Sequence, residues 1–341
     1  MRSAAFEKGI RNAVQVCMNV QEEDRVLIIT DDETLEIGQA LTAEVEKIGS
    51  QTKMVKLEDY GPRPMTEVPE ELIQALRELM PTVTFFAAGS QVGEVRMRMG
   101  LTFQIRGLYG ELEQPMPRHG HMVSITPPLI EQGMTADYQE INRLTYQVLE
   151  IVKDAVEIEV TSVKGTDIRA EFNPDYRWVP CHGLYHKSGD WGNLPEGEVF
   201  TCPGNLNGVL VVDVLGDYFS PKYGVLEHPL TIEVEESRVK SVECQDQALA
   251  DEFLAYLHST ENGDRAGEFA IGTNTSVTEL TGNLLQDEKI PGIHVAFGSP
   301  GGYNTGADWN SEVHVDVVPV GCTIKVDGVT IMEEGKFVFS E

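Results

Sequence analysis

The sequence predicts an α/β N-terminal domain with a mainly parallel sheet, followed by a β-rich α+β domain. Three observations carry this. Strand-like and helix-like segments alternate through the first 150 residues. From about residue 156 the pattern changes to period-two alternation with hairpin turns. The chain, at 341 residues, is also too long for one ordinary core and suits two domains, here placed at 1–155 and 156–341.

In the first domain, the N-terminal Ile10, Ala13, Val14, Cys17 and Met18 form a helical stripe interrupted by charges, unlike a signal peptide. RVLIITDD (25–32) is an apolar run ending in acids, typical of a strand buried on both faces. Ile37, Leu41, Val45 and Ile48 then mark a helix over 33–49, and TKMVKL (52–57) a second strand. A helix opens after Pro69, TVTFFAAG (82–89) is a third strand, and HMVSITPP (121–128) reads as another. A βαβαβ order implies parallel strands with right-handed crossovers. No G-x-G-x-x-G follows the first strand, so no dinucleotide is inferred. Residues 136–155 form a long helix leading out of the domain.

In the second domain, EIEVTSVKGTDIRAEF alternates around a Gly-Thr-Asp turn, GVLVVDVLGD (208–217) is a strand, and 230–244 reads as a hairpin. One clear helix covers 246–260. Near the end, Asp327-Gly328 is a two-residue hairpin signal.

Composition narrows the function. A formal charge of −29 leaves no basic stripe for nucleic acid or for anionic membrane surfaces. The same field favours divalent metals and free amino termini. No apolar run approaches the roughly 20 residues of a membrane span. The 5 cysteines are widely spaced without C-x-x-C, which points to a reducing, cytoplasmic setting without disulfides or a cysteine zinc site.

Acids and histidines then occur where strands should be apolar. In EVHVDVV, His314 and Asp316 share one face while valines take the other, about 7 Å apart along the strand. PGIHVAFG places His294 in the same way. Glu198 lies in EGEVFTCPG, Glu268 in DRAGEFAIGTN and Glu288 in LLQDEKIPG. Singly, each has an ordinary explanation: a salt-bridged rim glutamate, or a satisfied core histidine. Six in one domain point to a shared cation, because an unpaired buried carboxylate is very costly.

PEGEVFTCPG, AGEFAIGTN, DEKIPGIHVAFG and EVHVDVV, in this order, resemble the metalloaminopeptidase family that includes aminopeptidase T, over roughly 156–341. By that resemblance Glu198, Glu268, Glu288, His294, His314 and Asp316 fall on metal-binding positions. The resemblance implies two divalent ions, zinc or cobalt, a small peptide substrate losing its N-terminal residue, and a homodimer. Two departures stand out. The family's tyrosine ligand falls on Gly301, with Tyr303 the nearest tyrosine, and one extra residue separates Glu288 from His294. A related branch, with 2,5-dihydroxypyridine dioxygenase, opens hydroxylated pyridine rings with one iron, for which His294, His314 and Asp316 suffice chemically. The retained glutamates favour the dinuclear hydrolase. His186, just upstream of Glu198, is the candidate proton shuttle and Tyr303 the second candidate catalytic residue. His182 shares the loop of His186, and His119 and His121 are more remote candidates. A metal-stabilised binding protein is the non-catalytic alternative, against which the glycine-rich 298–311 loop weighs.

Overall fold

The computed structural model describes residues 2–91 and 93–339. It divides into two compact units, one of Met1–Tyr138 and Gly183–Glu196, the other of Gln139–His182 and Gly197–Glu341. The chain therefore crosses between units three times, where the sequence analysis places a single boundary. The helix Tyr138–Val152 belongs almost wholly to the second unit: Leu144, Val148 and Val152 join that unit's core.

In the first unit, the strands stand in the order Gln51–Lys56, Arg25–Thr30, Val83–Ala87, Arg118–His121, Trp191–Asn193, and every pairing is parallel. Both faces are covered, as the continuous apolar runs demand. Leu27, Ile29 and Phe86 pack with Leu72 and Leu76 of the helix Glu70–Leu79 and with Met97 and Leu101 of the helix Val95–Glu111. On alternate positions Val26, Ile28 and Phe85 are also fully buried. The N-terminal helix Ala4–Arg11 widens into a π-helical turn over Asn12–Cys17, and its whole predicted stripe is buried.

Two elements differ from expectation. The strand read over 121–128 lies instead at Arg118–His121; Ser124, at φ 54°, turns the chain away, and prolines open the short helix Pro127–Glu131. The helix Val95–Glu111 was hidden because its glycines and arginines blur the apolar period.

Strand order reverses between Arg25–Thr30 and Val83–Ala87, the place where open parallel sheets usually bind ligands. Here the chain's own Arg63 is bonded to the loops at those carboxyl ends. Its guanidinium pairs with Asp31 (2.8 Å), donates to the Gly89 carbonyl (2.8 Å) and meets Glu94 through two nitrogens. Burial alone would raise the Asp31 carboxyl, but hydrogen bonds from Thr34, Arg63 and Gly89 outweigh it and hold it below the usual carboxylate range.

The second unit is built on a 13-stranded antiparallel sheet. Its central neighbours are Glu198–Thr201, Ala266–Gly272, Gly292–Gly298 and His314–Val318. One face of these strands presents Val199, Phe269, Ile271, Ile293, Val295, Phe297, Val315 and Val317 to the core, together with Phe253 and Leu257 of the helix Gln247–Leu257. The hairpin at 327–328 forms as read, with Asp327 and Gly328 at φ 46° and 81°. Among the described residues no helix is long and apolar enough to cross a membrane.

Replacing Arg63 with Met would leave Asp31 and Glu94 buried without their cation. Loss of a buried partner of this kind costs about 3–5 kcal/mol. Urea unfolding should show a loss of that order, and a change under about 1 kcal/mol would count against the role given to Arg63.

Candidate metal centre

The polar face of the same four strands builds the site. Antiparallel register sets Asp316 opposite Ala296 and Ala296 opposite Glu268, so an acid stands on either side of an alanine. His294 lies opposite Ala270, His314 opposite Gly298, and Glu198 opposite Gly272. Alanine or glycine thus occupies the positions between the polar residues, and the long side chains have room to converge. Gly298 is obligatory in its place: at φ +103°, a Cβ there would stand 2.0 Å from the Val313 carbonyl oxygen.

Five of the six residues are buried: Glu198, Glu268, Glu288, His294 and Asp316. His314 stands at the rim with 40% of its side chain exposed. His294 Nδ1 lies 2.9 Å from the Glu288 carbonyl oxygen, and His314 Nδ1 lies 2.9 Å from that of Ser299. A carbonyl only accepts, so each Nδ1 donates and each Nε2 is turned toward the acids. This is how a protein orients metal-binding imidazoles.

His294 Nε2 is 3.2 Å from Glu268, 3.5 Å from Glu198 and 3.9 Å from Asp316. His314 Nε2 is 3.7 Å from Asp316 and 4.0 Å from Glu268. Ligand bonds of about 2.0–2.2 Å put neighbouring donors roughly 3–4 Å apart, so these separations fit donors around an ion. Within the second unit two sets of donors lie mutually within 4.8 Å, Glu198 with Glu268 and His294, and Glu288 with His294 and Asp316; they share His294. Glu198 Oε2 is buried without a hydrogen-bond partner among the described residues. An orphaned buried carboxylate oxygen, 3.5 Å from an imidazole nitrogen, has the chemistry of a ligand or of a proton acceptor rather than of a structural acid.

Without an ion, the two imidazoles take on positive charge among these acids. Burial works against charging His294, but Glu268, Glu198 and Asp316 prevail and raise it to about 10. His314 follows, to about 9, with Asp316 and Glu268 outweighing desolvation. Burial raises the carboxyls of Glu198, Glu288 and Asp316. Glu268 moves the other way, because its hydrogen bond with His294 overcomes the same burial.

The remaining candidates lie apart from this cluster or in the other unit. Tyr303, the other catalytic candidate, is 91% exposed on the short helix Gly302–Thr305, its side chain projecting into solvent. The loop carrying it is pinned by Arg177, which donates to the carbonyls of Asn304 and Tyr303. His186 belongs to the first unit, where its Nε2 donates to the Val16 carbonyl (2.8 Å). His182 stacks obliquely on Tyr146 at 5.7 Å. His119 and His121 pack in the first unit, His121 against Phe86, and burial holds both neutral.

Sequence reasoning passed over Lys289. It is 1% exposed, and its Nζ lies 2.8 Å from Glu198 and 2.7 Å from Glu288. Its only signal in the sequence was its position directly after a candidate ligand, in a segment otherwise bound for the interior.

A profile of the family described as 2,5-dihydroxypyridine 5,6-dioxygenase (NicX) matches residues 6–271, most of the chain. The chain belongs to the NicX family. That match contains Glu198 and Glu268 and ends before Glu288, His294, His314 and Asp316. A second profile, crocagin biosynthetic protein CgnE/B, matches residues 225–327. No curated protein matches. Among solved structures, 2,5-dihydroxypyridine dioxygenase from Pseudomonas putida KT2440 superposes with a TM-score of 0.69 at 16% identity, covering 100% of this chain and 99% of that one. AmpT from Thermus thermophilus, an aminopeptidase T, gives the same score and identity, covering 98% and 99%. This member of the NicX family thus shares its two-domain fold equally with a dioxygenase and an aminopeptidase.

The pH behaviour of chelated protein follows from the imidazoles. Both folded pKa values exceed the unfolded value of about 6.5, so their stabilisation is complete below that pH. It is lost as pH rises through about 9 for His314 and about 10 for His294. The raised carboxyls of Glu198, Glu288 and Asp316 add losses in the same direction at lower pH. Thermal melts in chelator should therefore show a midpoint falling between pH 6.5 and 10. A flat or rising midpoint would contradict these assignments.

Proposed function

We propose that this chain is a metal-dependent enzyme that opens a hydroxylated nitrogen-containing aromatic ring with dioxygen. The observation that carries this is the pair of imidazoles held by backbone carbonyls with Nε2 turned toward Asp316. Two histidines and one carboxylate are the donor set of non-haem iron oxygenases. The description of the family whose profile this chain matches supports the same reaction class.

His294, His314 and Asp316 would hold the ion, with Glu268 reaching both imidazoles. The ion, when bound, supplies Lewis-acid activation and, as iron(II), the redox chemistry of dioxygen. Both oxygen atoms enter the ring-opened product, so no external reductant is needed. Glu198 Oε2 is the atom suited to hold the proton that a ring hydroxyl gives up on binding, because burial has raised its carboxyl. Exposed His314 marks the side from which substrate would approach.

A second reading is hydrolysis of N-terminal residues from peptides through two divalent ions, zinc or cobalt. It is favoured by Glu198 and Glu288, which exceed the needs of a single triad, and by the fold shared with AmpT. One experiment separates the two. Protein loaded anaerobically with iron(II) is given hydroxylated pyridines in an oxygen electrode, and zinc- or cobalt-loaded protein is given unblocked dipeptides without oxygen. Oxygen uptake with loss of ring absorbance is expected, and Asp316→Ala should lose metal content and turnover together. Peptide hydrolysis without oxygen uptake would instead establish the peptidase. Loss of turnover with full metal content in Asp316→Ala would remove this carboxylate from the ligand set.

A further inference from the structure

The geometry points to Lys289 as a built-in cation that takes the place of a second metal ion and holds the site to one. This rests on the metal reading of the cluster, and deepens it. The ammonium bridges Glu198 and Glu288 at 2.8 and 2.7 Å, as a bridging ion would. These two glutamates come one from each of the two donor sets that meet at His294. A second ion using both would have to displace Lys289.

The local backbone explains how a lysine comes to be there. Adjacent residues on a strand point to opposite faces. Glu288 and Lys289 instead follow the short helix Leu284–Asp287, and Lys289 N bonds back to the Gln286 carbonyl at 2.8 Å. On a helical turn, successive side chains differ by only about 100°. Both therefore reach the same cluster, Glu288 beside its own neighbour's ammonium. Lys289 is among the largest fully buried side chains, so its charge has no route to solvent.

Charge leads to the same result. Four carboxylates, those of Glu198, Glu268, Glu288 and Asp316, face two imidazoles and this one ammonium. With neutral imidazoles, one divalent ion leaves the cluster one charge short of neutrality and a second carries it as far past, so the total favours neither and the local repulsion decides. A second divalent ion alongside Lys289 would place a dication near a fixed positive charge in a buried site, where repulsion is poorly screened.

The test is metal stoichiometry, read without turnover. Wild-type protein and the Lys289→Met and Lys289→Arg variants are dialysed against excess zinc, passed through a desalting column and measured for zinc per chain. We expect one equivalent in wild type, two in Lys289→Met, and one in Lys289→Arg, with circular dichroism confirming the fold of each. Two equivalents in the wild type would overturn the inference, and so would one equivalent in folded Lys289→Met. Should Lys289→Met fail to fold, the wild-type titration still decides: a second zinc bound with Lys289 present sinks the proposal, and saturation at one supports it. A wild type that binds no zinc would overturn the metal reading itself along with this inference. Any other failure leaves the metal site standing and removes only the role of Lys289.

Discussion

Three carboxylates on one face of a buried sheet, with Glu288 brought beside them by the turn after Leu284–Asp287, impose the constraint around which the second unit is organised. Desolvating a carboxylate costs several kcal/mol unless a cation stands beside it. The unit meets this with His294 inside the cluster, His314 at its rim and Lys289 across its far side. The valine and phenylalanine face beneath the same strands is an uninterrupted apolar core. That core holds register, and register decides which acid meets which imidazole, since a slip by one residue would turn every strand-borne ligand into the core.

The neighbouring positions are as constrained as the ligands. Ala270, Gly272, Ala296 and Gly298 alternate with the polar residues on the same face, so no large side chain fills the space where donors converge. The two carbonyls that receive the imidazole protons come from Glu288 and Ser299, each on a segment next to a ligand strand. Tautomer and ring orientation are thereby set by backbone, and no side-chain substitution is needed to hold them. The first unit solves a smaller version of the same problem, with Arg63 neutralising Asp31 and Glu94 at the sheet's carboxyl end.

A shared fold is silent on the reaction here, because one architecture superposes equally on a dioxygenase and on an aminopeptidase. On the reading proposed above, the two chemistries would differ in how many ions the donor set accepts. In this chain the pair Glu198 and Glu288 is neutralised by Lys289, and as proposed above that number turns on it.

Much of this was legible in the linear chain. Period-two alternation put valines on one face and His314 and Asp316 on the other, which local sterics enforce whatever the surroundings. The unbroken apolar runs announced a sheet buried on both sides, and isolated acids in apolar strands announced a common cation. Other features depended on contacts between distant segments. The return of residues 183–196 to the first unit adds a three-residue strand, Trp191–Asn193, too short to carry a pattern of its own. Tyr303 lay close to the ligands in sequence but projects into solvent, because Arg177 fixes the backbone of its loop. Lys289 was undecidable from the chain, since a lysine after a glutamate is ordinarily a solvated surface residue. Only the meeting of the 284–289 turn with the Glu198–Thr201 strand makes it an interior cation, because a charge is tolerated there only where its counter-charges have already been assembled.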